Sequence, residues 1–287
     1  MFDPNREAII DLALAEDIGT GDVTTLVTVP ASTRASGILL AKADGVISGL
    51  SVAQAVFARV DPSISFERSV TDGETVTAGA TLGRVAGSAH SLLSAERTTL
   101  NLLQRLSGVA TSTARHVAAV AGTKARIVDT RKTTPGLRTL EKAAVRHGGG
   151  QNHRFGLADG VLIKDNHLAA LGPPGQPDRV TRAVRQARAA SPHTLRIEVE
   201  VTTLTELDEA LAAEADVVLL DNMDVAQLRE AVTRTAGRAL LEASGGITLD
   251  RLRAIAEAGV DLISVGALTH SAPALDISLE LTLEGEG

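Results

Sequence analysis

The 287-residue chain has no cysteine, tryptophan or tyrosine, and only four phenylalanines. Without cysteine there is no disulfide framework, no thiol nucleophile and no thiolate zinc site. This fits a cytoplasmic protein. With aromatics at 1% of residues, the core must be filled by Ala, Val, Leu and Ile, which suits thin layers of helix on sheet better than a β-sandwich. No apolar run approaches the roughly 20 residues that cross a bilayer. The acidic start, MFDPNREAIIDLALAED, lacks the basic and apolar regions of a secretory signal. The net charge of −7 and the missing aromatics argue against nucleic-acid binding. A local cluster of Arg and Lys between Arg131 and Lys164 is the more informative for it.

From about residue 125 onward, short apolar runs alternate with helical patterns, as in repeated βα units. The runs are Ala125–Asp129, Gly160–Lys164, Leu195–Val201, Asp216–Asp221, Ala239–Ala243 and Asp261–Val265. Each predicts a buried parallel strand. Between them, Val180, Ala183, Val184 and Ala187 share one helical face, and Leu204, Leu207 and Leu211 another. Val225, Leu228 and Val232 repeat the pattern, as do Leu249, Leu252 and Ile255. Thr203 and Glu206 predict a capping box. Six units in succession favour a closed α/β barrel, with an open doubly wound sheet as the competitor.

Residues 1–107 predict an α+β domain. A helix over about Asn5 to Ala15 precedes the turn-rich EDIGTGDVTT. Strand pieces at Ala35–Lys42 and Gly45–Ile47 follow, and a helix from about Ser94 to Leu106 leads to the barrel domain, residues 108–270. The stretch LGPPGQPD (171–178) predicts a surface loop.

Barrel chemistry gathers where the strands end. The first run ends in Asp129-Thr130-Arg131-Lys132, the second in Lys164-Asp165-Asn166-His167. The third carries Glu198 and Glu200 on one face, and the fourth ends in Asp221-Asn222. The fifth ends in Ser244-Gly245-Gly246, the sixth in Val265-Gly266-Ala267. Buried strands have no structural reason to end in polar residues five times in succession. The two Gly-containing endings let backbone N–H groups approach a phosphate, although glycines also serve simple tight turns. Arg131, Lys132, Arg154 and Lys164 lie at strand ends or in GGGQNHRFG and suit anionic ligands. Arg138 and Arg146 lie on a helical stretch, Leu137–His147, and read as solvated or paired with Glu141. His153 is either a ligand-binding or a structural histidine. Glu200 and Asp221 are oxygen donors suited to Mg²⁺, to ribose hydroxyls, or to a salt bridge with a nearby Lys. Glu198, deeper on the same face as Glu200, would orient the cations.

The runs DTRKTTPGLRTLEKAAVRHGGGQNHRFGLADGVLIKDNH, IEVEV, VVLLDNM, LEASGGI and ISVGALTHS resemble the quinolinate phosphoribosyltransferases, type II phosphoribosyltransferases also described as carboxylating nicotinate-nucleotide pyrophosphorylases. EDIGTGDVTT and LSAERTTLNLLQRLSGVAT are similar to the N-terminal domain of that family. The resemblance implies an incomplete TIM-like α/β barrel with an N-terminal α+β domain, the tail 271–287 packing back on that domain. It implies conversion of quinolinate and 5-phosphoribosyl 1-diphosphate to nicotinate mononucleotide, pyrophosphate and CO₂, in de novo NAD synthesis. Arg131, His153, Arg154 and Lys164, with Thr130 beside them, would hold the quinolinate carboxylates. Arg97 would come from a second subunit, implying a homodimer or higher oligomer. Lys132 would face the diphosphate, Glu200 and Asp221 would bind ribose or Mg²⁺, and Ser244–Gly246 with Val265–Ala267 would cradle the 5′-phosphate. A nicotinate phosphoribosyltransferase, a class I aldolase using Lys164 as a Schiff-base amine, and a non-enzymatic phosphate-binding barrel are the alternatives.

Overall fold

The computed structural model describes residues 4–173 and 176–283. Pro174 and Gly175 of the expected surface loop, and the last four residues of the tail, lie outside the described residues. In chain order the first elements are α1 (Pro4–Ile18), α2 (Val23–Thr28), β1 (Arg34–Ala41), β2 (Gly45–Val46), α3 (Leu50–Val60), β3 (Ser65–Arg68), β4 (Thr75–Val76), β5 (Thr81–Ser88) and α4 (Ala89–Ala119). There follow β6 (Arg126–Val128), α5 (Arg138–His147), β7 (Val161–Ile163), α6 (Asp165–Ala169), α7 (Arg179–Ala190), β8 (Ile197–Val201) and α8 (Leu204–Ala212). The last are β9 (Val217–Asp221), α9 (Val225–Thr235), β10 (Leu240–Ser244), α10 (Leu249–Glu257), β11 (Leu262–Ser264), α11 (Ala267–His270) and β12 (Ile277–Leu283).

The chain forms two compact units. One gathers residues 1–114, 132–149 and 267–287; the other gathers 115–131 and 150–266. In the first, an antiparallel sheet runs in the order β12-β1-β5-β3. β1 alternates buried and more exposed residues, the period of a half-buried strand. Its far partner is the C-terminal strand, with Ala35 opposite Leu283 and Ala41 opposite Ile277. Gly37 makes room there for the Leu281 and Leu279 methyls, which a Cβ would meet at 2.7 and 2.9 Å and push aside. Leu39, Ile47, Leu50, Leu82, Leu103 and Ile277 pack into one apolar core. Each such side chain is worth about 1.5–3 kcal/mol on burial.

Two local expectations change in this unit. The stretch expected to be turn-rich holds a short helix, α2, because the Asp22 carboxylate accepts the Thr25 N–H at 3.0 Å and caps it. The helix expected over Ser94–Leu106 is far longer, α4, since its apolar face continues through Val109 and Ala110. Glu141 on α5 is fully buried and saturated. It accepts from Arg105 at 2.8 Å, from the Thr134 N–H at 3.0 Å and from the Thr134 hydroxyl at 2.8 Å. Arg105 in turn donates to the carbonyls of Thr269 and Ala272. Arg138, considered above as a partner for Glu141, donates to the Thr133 hydroxyl at 3.0 Å.

In the second unit all six expected strands form, within two residues of the expected ends, as one parallel sheet ordered β6-β11-β10-β9-β8-β7. The first strand pairs with the last, and each of the others pairs with its neighbours in sequence. Among the described residues no ladder joins β6 to β7, so the sheet is barrel-like with a seam at that place and does not close. The closed barrel favoured by alternation alone is therefore corrected to an incomplete one. Alternation sets strand type, whereas closure depends on pairing that no local pattern encodes. The outer edge of β6 is partly occupied, since Gln151 bridges to Val128.

The expected capping box of α8 forms by half. Thr203 accepts the Glu206 N–H at 3.2 Å, but the Glu206 carboxylate turns to the Thr202 N–H at 2.9 Å and to Arg179 at 2.9 Å. A full box stands instead at Asp224 and Gln227 of α9.

Candidate active site

In the barrel unit, the polar residues follow the C-terminal ends of the strands, where the ladders stop and backbone and side chains are free to face a ligand. After β6, Asp129 is fully buried. Its carboxylate accepts the Asn152 amide at 2.6 Å and the His153 N–H at 2.8 Å, pinning the Gly-rich loop to the strand end. Thr130 and Arg131 follow at the edge of the unit. Arg154 donates to the Gly160 carbonyl at 3.2 Å. Burial lowers the hold of Arg154 on its proton, and the positive charge of Arg131 lowers it further. Two guanidinium groups close enough to repel one another are relieved by a bound anion.

Lys164 ends β7 with its side chain half exposed, its Nζ 3.4 Å from Glu200 on β8. The salt-bridge alternative for Glu200 is thus present. Burial raises the Glu200 pKa; Lys164 opposes this and the negative Asp221 adds to it. Asp221 stands at the end of the adjacent strand β9 and accepts the Asn222 amide at 2.7 Å. These two carboxylates on neighbouring strands are close enough for the charge of one to raise the other, and are oxygen donors of the kind that hold a hard divalent cation.

After β10, Gly245 and Gly246 adopt φ of +90° and +55°. A Cβ on Gly245 would lie 2.2 Å from Asn222 Oδ1 and 2.9 Å from its backbone nitrogen, so only glycine fits. Gly246 meets nothing within 4 Å. Val265 is buried, and its N–H donates to Val128 at 3.0 Å, which joins the ends of β11 and β6. Ser244, Gly245, Gly246, Val265 and Gly266 therefore sit on neighbouring strand ends of one unit. Arg97, Lys132 and Ala267 belong to the other. There, Arg97 is exposed on α4, the Lys132 carbonyl accepts from Thr269 at 2.9 Å, and Ala267 begins α11.

Sequence reasoning passed over one residue of consequence. Glu242 of β10 is 1% exposed, and with Glu198 of β8 it faces the His153 ring. His153 Nε2 lies 3.1 Å from Glu198 and 3.5 Å from Glu242. Neither oxygen of Glu242 has a hydrogen-bond partner, nor does Oε1 of Glu198. Burial disfavours a charged ring, yet the two carboxylates overcome it and push the His153 pKa up to about 10. Burial also raises Glu198, with His153 opposing and Glu242 adding to the rise. The signal for Glu242 was an acid inside an otherwise apolar strand, Leu240–Ser244, a position no buried strand needs to fill with charge.

The family model for the C-terminal domain of quinolinate phosphoribosyl transferase matches residues 109–280, and the model for its N-terminal domain matches 22–107. A nicotinate-nucleotide pyrophosphorylase [carboxylating] of Mycobacterium leprae is 49% identical, over 98% of this chain and 98% of its own. A probable nicotinate-nucleotide pyrophosphorylase [carboxylating] of Bacillus subtilis is 44% identical, over 94% of this chain and 91% of its own. The crystal structure of NadC from Streptococcus pyogenes, 41% identical, superposes with a TM-score of 0.92 over 99% of both chains.

Proposed function

The chain belongs to the quinolinate phosphoribosyltransferase family, and from that premise we propose how its residues divide the work. The enzyme is a carboxylating nicotinate-nucleotide pyrophosphorylase: quinolinate and 5-phosphoribosyl 1-diphosphate give nicotinate mononucleotide, pyrophosphate and CO₂, a step of NAD biosynthesis. The observation that carries the residue assignment is the close placement of Arg131 and Arg154, whose mutual repulsion a dicarboxylate relieves. Arg131, Arg154 and Lys164, with Thr130 beside them, hold the quinolinate carboxylates, and His153 belongs to the same wall. The Gly245–Gly246 backbone, with Ser244 and the Val265–Ala267 turn, receives the 5′-phosphate. Glu200 and Asp221 hold Mg²⁺ or the ribose hydroxyls. When bound, the ion supplies positive charge against the departing diphosphate.

Loss of diphosphate leaves positive charge at the anomeric carbon, which the carboxylates of Glu200 and Asp221 tolerate. The pyridine nitrogen then bonds to that carbon. The ring is now a cation, and it takes up the electron pair of the C–C bond as CO₂ leaves. A proton from water fills the vacated carbon. The protein positions and neutralises, and supplies no nucleophile.

For Lys132, facing the diphosphate, and for Arg97, supplied by a second copy, the support is the family resemblance. A shared site makes the working unit at least a homodimer. Mixing two inactive variants, Arg97→Ala and Lys164→Ala, tests this. Random pairing is expected to restore about a quarter of wild-type activity, since half the pairs are mixed and each has one intact site. Recovery of none removes the shared site. A cytoplasmic location suits substrates whose charges keep them from crossing bilayers unaided.

Pyrophosphate and CO₂ release from quinolinate and the ribosyl donor, with and without Mg²⁺, tests the whole reading. Pyrophosphate release with nicotinate but not with quinolinate would select the rival without decarboxylation.

A further inference from the structure

The loop that carries Arg154 is fastened to the barrel twice. Asp129 holds its backbone, as described above. The second fastening is the His153 ring, and the directions of its hydrogen bonds define its state. Nδ1 accepts the Arg154 N–H at 2.7 Å, so it carries no proton. Nε2 is then the N–H, and it points at Glu198 and Glu242. The ligating atoms of the three residues all lie within 4.8 Å of one another, close enough for a metal ion. A metal on Nε2 would require the ring proton on Nδ1, facing the Arg154 N–H donor, and the geometry speaks against it.

Two acids with orphaned oxygens are expensive to bury, and an apolar pair of similar volume would stabilise the strands better. Their presence calls for a role other than stability. We propose that Glu242, together with Glu198, is a positioning residue for recognition of the second quinolinate carboxylate. The glutamates on β10 and β8 fix the imidazole, the imidazole fixes the Arg154 amide, and the Arg154 guanidinium is thereby aimed. The chain of contacts runs from the strands beneath the site to the loop beside the seam between β6 and β7. It rests on the reading that Arg154 binds quinolinate.

Steady-state kinetics of Glu242→Leu, Glu242→Gln, His153→Ala and the Glu242→Leu/His153→Ala double variant test it, with Arg154→Ala alongside. Glu242→Leu is expected to raise KM for quinolinate about tenfold, the scale of losing one buried carboxylate beside the ring, with KM for the ribosyl donor little changed. Glu242→Gln, which keeps an acceptor in place, is expected to recover most of that loss. The double variant is expected to be no worse than His153→Ala, because the glutamate acts through the ring. Equal rises in both KM values, additive losses in the double variant, or a Gln variant as impaired as the Leu variant would each overturn the proposal. Should Glu242→Leu not fold, His153→Ala decides: a quinolinate KM unchanged from wild type overturns it. If Arg154→Ala itself leaves the quinolinate KM unchanged, the underlying site reading has failed. If it raises that KM while Glu242→Leu does not, only the positioning role has failed.

Discussion

Each of the two units buries acids, and Glu141 of the first contrasts with the Glu198–Glu242 pair of the second, where Asp129 is served by donors much as Glu141 is. Glu141 is surrounded by donors: Arg105, the Thr134 hydroxyl and the Thr134 backbone. Glu198 and Glu242 face a single histidine N–H and leave three oxygens without partners. A saturated acid organises structure, because every lone pair it lost from water is replaced. An under-satisfied pair keeps free energy in reserve, and such places recur at functional sites. The difference separates the acid that braces the first unit from the pair that stands beside the candidate site in the second.

The largest effect should come from removing the saturated acid. Glu141→Ala leaves the part-buried Arg105 among carbonyls without its counter-charge and empties a fully buried site, and is expected to lower stability by about 3 kcal/mol, read by denaturant unfolding. A loss smaller than that of Glu242→Leu would break the comparison. Next is a variant that spares stability and harms chemistry. Arg131→Ala should lower kcat/KM for quinolinate by at least about 30-fold, the lower end for a charge-paired contact, with an unfolding midpoint near wild type. Full turnover would remove Arg131 from the site.

A third effect is a pH dependence. The His153–Glu198–Glu242 group holds its extra proton between Nε2 and the two carboxylates, since Nδ1 serves as an acceptor, and binds it more tightly than an unfolded histidine near 6.5, the pKa of the group being pushed up to about 10. Because that pKa is raised on folding, the stability it confers is fully present below about pH 6.5 and is lost as pH climbs toward 10. Thermal unfolding from pH 6 to 10 should show this decline, and Glu242→Gln should flatten it. The smallest effect belongs to Asp22, an acid at the surface of the first unit. Thr25 hydroxyl and backbone bonds hold its pKa below 3.8, so its cap contributes above that pH and fades as pH falls below it. Asp22→Ala is expected to cost about 1 kcal/mol at neutral pH, measured by urea unfolding.

Much of the barrel was legible because buried parallel strands are written as unbroken apolar runs with polar ends, such as VVLLD and LLEAS. The seam was not, since β6 beside β11 is a pairing between the ends of the sequence of βα units. Lys164, Glu200 and Asp221 were found because they stand where strands end. Glu242 stands two residues inside the same kind of strand, where the rule of polar strand ends does not reach it. The lower half of α4 was missed for a related reason: Ser107, Gly108, Thr111 and Thr113 are small and polar, yet they are buried. A Cβ on Gly108 would lie 2.0 Å from the Pro273 carbonyl, so close packing of backbones, added to the burial of Val109 and Ala110, sets that part of the helix.

The pairing of β1 with β12 also has a consequence for the order in which the protein can be made. Ala35 has left the ribosome long before Leu283 exists, so one edge of β1 stays bare through most of translation. The parallel strands from β6 to β11 all emerge in that interval and pair among themselves. The nascent chain can thus build its parallel sheet early, while β1 waits for β12. Synthesis of Ile277–Leu283 then becomes the moment at which β1 gains its second neighbour.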